Sequence, residues 1–589
     1  MTYKLPPNGQ WTQLNVGDSN GSLWSTFNVD LTVKKGDVKV TRLITSESTS
    51  SNLANLGTPI GFVKLDTGYG FKYFTVAGSR VFSQLSTYTS SAFVQDATSG
   101  TPTTCSSTLS DIINYNGYLY VSTSTNAVYK NTGSTWSNFT AGGADASPHM
   151  FCSYGGRLYM TRGRSQIISW DAADTVATSG TYTLNIPNST ENTITFIRSA
   201  SDKIWVGTVN SLGGQGYIYA WDGVSGNPIK YTLNSTGVVA GVVQDDVPYV
   251  MDNNGRLLQF NGGTFKEIAR LPNYRKLIYT QALSNSNDRW MHPNGMAIIE
   301  NNISLLINTK EITSNTITTE EACPSGIWEF TKETGLYHKY SFSYLDSFEQ
   351  AITDCGQNRI AVAGGLAYAK PSSESSLSNG TLLAGCSYYT NNSSTKFGIF
   401  FDDNVDNFIK AGYLVTTKIP SSQISDTWQK TVLKYNNLIN SANKIVVKFR
   451  LKDVEPTEIN VTWRNTTTFF TTTDLSSYWT SGTGFEVEVV QGVGSGMCSH
   501  ITGIQDVDGG YLVTLDEVHT GVVLNDISVV RLQKWIKLGS VNDVTSTFKI
   551  MPFPTTASSN YIQLKIWMLM YGSDELKEVD VASVVSQPL

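Results

Sequence analysis

The stretch SDKIWVGTVNSLGGQGYIYAWDG, residues Ser201–Gly223, decides the fold class of this chain. A polar turn at its start is followed by a short apolar strand around Trp205 and then by a Gly-rich turn. A second strand carries alternating aromatic residues from Tyr217 to Trp221 and ends in an Asp-Gly pair. Two short strands joined by tight turns are half of a four-stranded antiparallel sheet.

The same unit recurs along the chain. Tyr120, Tyr159, Trp205 and Tyr249 occupy equivalent inner-strand positions and are 39, 46 and 44 residues apart. This spacing is typical of the blades of a β-propeller, so we predict an all-β chain with a propeller of six or seven blades over residues 51–410. A stacked β-sandwich built from hairpins is the alternative, which the nearly constant unit length disfavours. Seven units are recognised, namely Gly68–Leu85, Asn116–Trp136, Gly155–Ala172, Ser201–Gly223, Asp245–Gly263, Asn301–Lys310 with its later partner Ser325–Gly335, and Asn379–Asp403.

The pattern differs at both ends of the chain. Residues 1–50 predict an N-terminal arm with one hairpin, and a strand from residues 20–50 could close the propeller. Beyond residue 411 longer strand-like runs appear, including Tyr561–Met568, whose alternation predicts a central strand. We predict a β-sandwich over 411–483 and 535–589, interrupted by a small inserted β-barrel at 484–534. The charged final run Ser573–Val585 predicts an edge strand.

Composition limits the classes of partner. Charged residues make up 15% of the 589 residues and the net charge is −6, which argues against a dedicated nucleic-acid surface. The sequence predicts no membrane-spanning helix and no secretory signal, since it lacks a long apolar run and a basic start followed by one. The six cysteines are predicted to be free thiols in a protein folded in a cytoplasm; they are Cys105, Cys152, Cys323, Cys355, Cys386 and Cys498.

Catalytic motifs are weak, and we predict that the chain is not an enzyme. Asn131–Trp136 resembles part of the Asp-box turn of sialidases, but that turn shapes the fold and carries no chemistry. Glycoside cleavage requires two carboxyl groups, or a Tyr–Glu pair, at a fixed separation. Sialidases also need arginines that converge on the substrate carboxylate, and the arginines of this chain follow no recurring motif; they include Arg80, Arg157, Arg162, Arg164, Arg198, Arg256 and Arg270. The pairs Trp170-Asp171 and Trp221-Asp222 are interpreted as an aromatic residue packed between blades followed by a turn-forming carboxylate.

No metal or cofactor site is predicted. The five histidines are scattered, and Cys498 with His500 forms a single pair where zinc needs four ligands. Gly492–Gly496 resembles a nucleophile motif offset by one residue, and it lies in a β-rich region without the strand-to-helix elbow of hydrolases. No phosphate-binding glycine motif opens a helix.

The layout of the chain resembles the virion proteins of tailed bacteriophages, particularly propeller-bearing tail, neck and nozzle components. The resemblance rests on the polar Gly/Asn-rich start with the strand GSLWSTFNVDL, on the propeller without catalytic signatures, and on the C-terminal segment that ends in YIQLKIWMLMYG. It implies a structural protein of the virion, assembled in a host bacterial cytoplasm into a homo-oligomeric ring with other virion proteins as partners. It implies no catalytic residues.

Two other functions remain open. A propeller of this kind could bind a host glycan or receptor through aromatic loops, for which Tyr88, Tyr154 and Tyr274 are the candidate contacts, because sugar rings stack on aromatic faces. A glycoside hydrolase of sialidase-like fold is the third hypothesis.

Overall fold

The structure is a computed structural model of the full chain. It describes residues 2–5, 11–12, 23–32, 37–41, 44–47, 57–66, 71–84, 93–96, 109–124, 127–132, 135–140, 149–187, 191–271, 291–307, 326–340, 360–369, 381–389, 395–402, 409–421, 427–436, 438, 443–451, 457–480, 483–493, 498–519, 522–554, 557–571 and 575–584.

Five strands precede the first repeat unit. They are β1 (Thr2–Leu5), β2 (Leu23–Phe27), β3 (Val29–Asp30), β4 (Val38–Val40) and β5 (Ile44–Glu47). The predicted hairpin is confirmed, since β3 pairs antiparallel with β4 and places Val29 opposite Val40.

Seven antiparallel sheets form the blades of a β-propeller; six of them are four-stranded, and the sheet of blade 3 has a fifth short strand. Blade 1 is β6–β9 (Pro59–Asp66, Phe71–Ala77, Arg80–Gln84, Phe93–Gln95), blade 2 is β10–β13 (Leu109–Tyr115, Tyr118–Thr123, Ala127–Asn131, Trp136–Thr140), and blade 3 is β14–β17 (Phe151–Tyr154, Arg157–Arg162, Gln166–Asp171, Val176–Ala177), with β18 (Leu184–Asn185) also pairing β16. Blade 4 is β19–β22 (Asn192–Ser199, Ile204–Asn210, Tyr217–Trp221, Ile229–Thr232), and blade 5 is β23–β26 (Val238–Gln244, Val247–Asp252, Arg256–Phe260, Phe265–Arg270). Blade 6 is β27–β30 (Met296–Ile299, Asn302–Ile307, Gly326–Thr331, Gly335–Tyr340), and blade 7 contains β31–β33 (Ile360–Ala369, Thr381–Tyr389, Thr395–Asp402).

The propeller closes on itself. The first strands of the blades contact one another in the circle β6, β10, β14, β19, β23, β27, β31 and back to β6. The fourth strand of blade 7 is β5, which pairs with β33 and places Thr45 opposite Phe401. The closing strand therefore comes from the segment before the repeats, as the sequence allowed, and the blade number is seven.

Packing between blades depends on close approach of side chain to backbone. The ring of Phe196 lies against Gly207 of its own blade 4 and against Gly241 of blade 5. A Cβ atom at Gly207 would lie 2.3 Å from this ring, and one at Gly241 would lie 2.6 Å from it. Glycine at both positions lets one buried aromatic side chain fill the space between two blades.

The remaining strands form two sheets. They are β34 (Ile409–Thr416), β35 (Ile419–Pro420), β36 (Thr427–Tyr435), β37 (Lys444–Arg450), β38 (Thr457–Asn465), β39 (Thr468–Thr471), β40 (Trp479–Thr480), β41 (Thr483–Gly492), β42 (Cys498–Val507), β43 (Gly510–Leu515), β44 (Ile527–Val541), β45 (Phe548–Pro552), β46 (Tyr561–Tyr571) and β47 (Glu575–Val584). A twelve-stranded sheet has the order β2-β34-β46-β37-β44-β38-β39-β43-β42-β41-β40, with β35 also on β46. A six-stranded sheet has the order β3-β4-β47-β36-β45, with β1 also on β47.

Two hydrophobic cores belong to these sheets. The first combines residues of both sheets, such as Leu433 of β36 and Ile566 of β46. The second lies among β38, β39 and β41–β44, where Trp463 and Phe469 are buried. Around this second core the pairing runs β44-β38-β39-β43-β42-β41 and returns to β44. It takes in 457–471, which lies before the predicted barrel range of 484–534.

Long-range pairing corrects one prediction and confirms another. The final strand β47 is not an edge strand, because β36 pairs along one side of it while β1 and β4 pair along the other. Its charged residues misled the prediction, since the strands that cover it are more than 500 residues away in sequence for β1 and β4. The predicted central strand is confirmed, because β46 pairs with β34 and with β37.

Blade 6 joins the propeller to the N-terminal strands. The Thr26 hydroxyl accepts a hydrogen bond from the backbone N–H of His338 over 2.8 Å, and the backbone N–H of Asn28 donates to His338 Nδ1 over 2.9 Å. Tyr337, which precedes His338, donates from its hydroxyl to Asp30 Oδ1 over 3.5 Å, and its ring is part of the first core. The N-terminal segment thus binds both the propeller and the C-terminal sheets of its own chain.

Candidate functional site

Only one of the three predicted contact tyrosines lies in the described residues. Tyr154 ends β14 of blade 3, and its ring is half-buried against Gly223 of blade 4, with the ring of Tyr159 at a centroid distance of 6.5 Å. Tyr154 therefore contributes to the packing of two blades, and a role in ligand binding stays a prediction. Tyr88 and Tyr274 lie outside the described residues.

The aromatic-acidic pairs at the ends of the third strands have the predicted packing and turn roles. Trp170 and Trp221 are both fully buried, and Trp170 packs between blades 2 and 3. The carboxylate of Asp171 accepts backbone hydrogen bonds from the two residues Ala173 and Thr175, over 3.0 and 2.9 Å. Asp222 does the same for the turn that follows Trp221. This interpretation is confirmed.

Tyr120 and Tyr159, which were predicted on inner strands, lie on the second strands of their blades, because the first strands form the inner circle. A repeated hydrogen bond links this second strand of one blade to the next blade. The Tyr120 hydroxyl donates to Asp174 Oδ1 of blade 3 over 3.0 Å, and the Tyr159 hydroxyl donates to the Gly223 carbonyl of blade 4 over 2.9 Å. Burial raises the pKa of both tyrosines to about 12, so both hydroxyls keep their protons at neutral pH.

The centre of the propeller holds a network of polar side chains, which we call the axial hub: Asp111, Arg198 and Asn294. The Asn294 amide nitrogen donates to Asp111 Oδ1 over 2.7 Å and to the Ile60 carbonyl over 3.0 Å. Its amide oxygen accepts from Arg198 over 2.9 Å, and its backbone carbonyl accepts from the N–H of Leu366 over 2.8 Å. Asn294 alone connects blades 1, 2, 4 and 7 to the entry of blade 6.

The other two hub residues complete the circle. Asp111 Oδ2 accepts from the backbone N–H of Phe151 in blade 3 over 2.8 Å. Arg198 donates to the Gly241 carbonyl of blade 5 over 3.0 Å and to the Pro293 carbonyl over 2.9 Å. The hydrogen bonds of these three residues, including the one from Leu366 to the backbone carbonyl of Asn294, therefore reach all seven blades.

Charge in the hub is balanced through an amide. Burial raises the pKa of Asp111, while the hydrogen bond from Phe151 and the positive charge of Arg198 oppose that rise. Burial lowers the pKa of Arg198, and Asp111 opposes that change. Asn294 accepts from the cation and donates to the carboxylate, so each charge is hydrogen-bonded without direct contact between the two.

Sequence reasoning did not find the hub. Its members lie 87 and 96 residues apart along the chain, in three units that share no motif. The available signal was a single charged residue within an otherwise uncharged strand, as in LSDIINY around Asp111 and in NTITFIRS around Arg198. Such a residue is costly to bury unless it finds a partner, and here the partner comes from a turn in another unit.

A second buried charge cluster lies within the twelve-stranded sheet. The Glu486 carboxylate of β41 binds the ammonium groups of both Lys448 and Lys565, the latter over 2.9 Å. All three side chains are almost completely buried. Burial alone would raise the pKa of Glu486, but the two lysines lower it. The cluster ties β41 to β37 and β46.

Two histidines adjoin this cluster. His500 Nδ1 lies 3.3 Å from Asp516 Oδ2, which also binds Lys537 over 2.6 Å. His519 Nε2 lies 2.8 Å from the Ser499 hydroxyl, and burial lowers the pKa of His519 to about 4. Both His519 and Ser499 are completely buried, so this pair holds structure rather than presenting a nucleophile to substrate. Among the described residues, no group of three or more His, Cys, Asp and Glu is placed to hold a metal ion.

Comparisons with known proteins identify no relative. No protein-family model and no curated protein matches the chain. Among solved structures, the WD40 beta propeller domain of Doa1 matches with a TM-score of 0.38 at 12% identity, over 62% of this chain and 98% of that one. The computationally designed Ika8 protein matches with a TM-score of 0.35 at 9% identity, over 61% of this chain and 99% of that one. YjhT matches with a TM-score of 0.32 at 10% identity, over 48% of this chain and 97% of that one.

No helix within the described ranges is long and apolar enough to cross a membrane.

Proposed function

We propose that this chain is a structural protein of a tailed-bacteriophage virion, a tail or neck component of the nozzle-like kind. In this role the propeller is a rigid platform, and surfaces outside the repeats join copies of the chain into a ring. The protein is assembled in the host bacterial cytoplasm, and its partners are other virion proteins.

The axial hub is the observation that carries this proposal. In the hub, Asp111, Arg198 and Asn294 form hydrogen bonds with one another and with the backbones of neighbouring blades. Polar groups used in this way lock the blades together. A locked propeller suits a part that bears load in an assembly better than one that must admit and release a substrate.

The architecture of the C-terminal region is part of the same proposal: a β-sandwich with an inserted small β-barrel. A core shared by the six-stranded and twelve-stranded sheets supports the sandwich. The circular pairing of β38, β39 and β41–β44 around their own core supports the barrel. In this sandwich, strands β1–β4 from the start of the chain add to both sheets, β2 to the twelve-stranded one and β1, β3 and β4 to the six-stranded one. They therefore connect the start of the chain to its C-terminal region.

The genes on either side of the encoding gene test this function. Portal, terminase or tail genes in the neighbourhood are the expected result. A bacterial chromosomal locus for glycan uptake or breakdown, without phage genes, would argue against the virion role and for the alternative functions.

A glycan- or receptor-binding protein is the second candidate, and two exposed aromatic rings favour it. Tyr118 has the ammonium group of Lys130 at 4.5 Å from its ring centre, and Tyr182 has the guanidinium of Arg157 at 4.4 Å. Exposed rings beside charged groups suit stacking on a sugar with hydrogen bonds to its hydroxyls. Binding to a glycan array that is lost on Tyr118→Ala with Tyr182→Ala would support this candidate, and an array without signal would remove it.

A further inference from the structure

The hairpin of β42 and β43 is joined to the other strands around the second core over short stretches. Within the described residues, β42 pairs with β41 over Cys498–His500, and β43 pairs with β39 over Tyr511–Thr514. The two strands pair with each other over a longer stretch, from Ile501 opposite Leu515 to Val507 opposite Gly510. Loss of the two short contacts therefore releases the hairpin as a unit.

Ion pairs hold the base of this hairpin. Asp516, which follows β43, binds Lys537 of β44 over 2.6 Å. The next residue, Glu517, binds Lys444 of β37. In both pairs the carboxylate follows the hairpin directly and the ammonium group belongs to a strand outside it, so release of the hairpin opens both pairs to water.

Two buried histidines lie at the same base. The backbone N–H of His500 donates to Asp516 Oδ1 over 2.7 Å, and His500 Nδ1 lies 3.3 Å from Asp516 Oδ2. His519 Nε2 lies 2.8 Å from the Ser499 hydroxyl, and its ring packs on Trp463 at a centroid distance of 4.9 Å. His500 Nε2 and His519 Nδ1 are buried without a hydrogen-bond partner among the described residues. Protonation makes both nitrogens of an imidazole donors, so each protonated ring would bury an N–H that has no acceptor.

The charges at His500 already include more cations than anions. Two carboxylates and three ammonium groups form the ion-pair cluster beside its ring; they are Asp516 after β43, Glu486 of β41, Lys448 of β37, Lys537 of β44 and Lys565 of β46. A proton on His500 adds a fourth positive charge to this cluster. The charged group that acts on His519 is Asp516, whose carboxylate is already shared by Lys537 and His500.

Both histidines therefore resist protonation while the hairpin is in place. Burial and the positive charge of Lys448 lower the pKa of His500, and burial lowers the pKa of His519 to about 4. Once water reaches the rings, their pKa returns to the ordinary value of about 6.5. The released form then takes up protons at a pH at which the closed form stays neutral, so a fall in pH favours release.

We propose that the β42–β43 hairpin is an acid-released flap: protonation of His500 and His519 detaches it from β39 and β41, while the propeller keeps its fold. Release hydrates both imidazoles and uncovers the second core, in which Ile501 and Val513 of the hairpin are buried. The chain then presents in acid an apolar surface that is covered at neutral pH. This device does not depend on the proposed virion role.

Hydrogen exchange of the full chain, followed by mass spectrometry and corrected for intrinsic exchange rates, tests the flap. A detached two-stranded hairpin is barely stable in water, so its amides exchange once it is released. Their protection should fall about 20-fold from pH 7 to pH 5 through His519 alone, whose pKa is about 4 in the closed form and 6.5 when hydrated. The amides of β24 in blade 5 should keep their protection. At pH 5 hydrated carboxyl groups are still mostly ionised, so they contribute little.

Replacement of both rings should abolish the fall. In His500→Gln with His519→Gln neither side chain titrates, so the protection of the hairpin should be the same at both pH values. The matched control is His149→Gln, which removes a buried histidine before β14 and should leave the fall unchanged. The pH profile of the wild type is a second measurement that needs no variant: the protection should be constant above pH 7 and should decrease from about pH 6.5 downwards.

Four results would overturn the flap. The first is equal protection of the wild-type hairpin at both pH values, and the second is a fall that persists in the folded double variant. The third is an equal fall in β24, which would mean that the whole chain unfolds. The fourth is a wild-type profile that first decreases below pH 5, which would assign the effect to carboxyl groups. If the double variant does not fold, the wild-type profile decides.

Discussion

Asn294 donates a 2.7 Å hydrogen bond from its amide nitrogen to the carboxylate of Asp111, which lies 183 residues earlier in the chain. The two residues belong to blade 2 and to the entry of blade 6, so the bond crosses the centre of the propeller. Its neighbours extend the connection to every blade. This bond belongs to the network on which our account of a rigid platform rests.

Removal of the Asn294 side chain should therefore destabilise the propeller. Asn294→Ala takes one donor from the buried Asp111 carboxylate and one from the Ile60 carbonyl, and we expect a loss of about 3 kcal/mol in the free energy of unfolding. Chemical denaturation of the full chain measures it. The exposed Asn185→Ala is the control, with a change within about 0.5 kcal/mol. Equal losses in the two variants would show that the hub stabilises the propeller no more than an exposed side chain does.

Blade closure by β5 predicts an alternating response to proline. Thr45 and Ser46 lie opposite Phe401 and Phe400 of β33, and in an antiparallel pair only one of two consecutive residues directs its N–H at the partner strand. Proline at the position whose N–H points at β33, either Thr45 or Ser46, should lower the free energy of unfolding by about 3 kcal/mol, and proline at the other position should lower it much less. Unfolding midpoints compare them. Two harmless variants would mean that β5 does not close the ring of blades.

The buried carboxylate of Glu486 should be needed for stability, because it is the ion-pair partner of two buried lysines. Glu486→Gln removes the negative charge that Lys448 and Lys565 share, and we expect a loss of about 3–5 kcal/mol in the free energy of unfolding. Further replacement of both lysines, as Lys448→Met with Lys565→Met, should recover much of this loss. Denaturation curves of the three proteins decide the point.

The control for this series is Glu458→Gln. Glu458 is partly exposed and binds Arg531, which retains Glu488 at 3.6 Å when Glu458 changes. We expect a loss below about 1 kcal/mol. A loss as large as that of Glu486→Gln would contradict the assigned importance of burial.

Acid should weaken the fold through His519. Burial lowers its pKa to about 4 in the folded state, against about 6.5 in the unfolded chain, so the unfolded state takes up the proton first. The stabilising contribution is complete above pH 6.5 and is lost as the pH falls toward 4, by about 3 kcal/mol in total. His500, whose pKa burial also lowers, acts in the same direction.

Urea unfolding at pH 7, 5.5 and 4.5 measures this slope, and His519→Gln should flatten it. Glu486, whose pKa the neighbouring lysines lower, takes up its proton in the unfolded chain near pH 4.5, so its contribution to the slope begins only at the lowest of these pH values. An unchanged slope in the variant would assign the pH dependence to other groups.

Local patterns in the sequence predicted the repeats, but they did not predict strand pairing and hydrogen bonding between residues far apart in the chain. The alternation from Tyr217 to Trp221 and the regular spacing of its relatives identify blades, because each blade is built from neighbouring residues. The edge position predicted for β47 failed, since charge on a strand does not reveal that β1 and β4 will cover it. The hub was missed for the same reason. Asp111 and Asn294 become partners only after seven blades have closed.

Native mass spectrometry of the wild-type chain tests the central claim most directly, because it counts the copies in each assembly. The account predicts one closed ring of a single stoichiometry that persists on dilution. A wild-type spectrum that contains monomer alone, at every concentration, would contradict it.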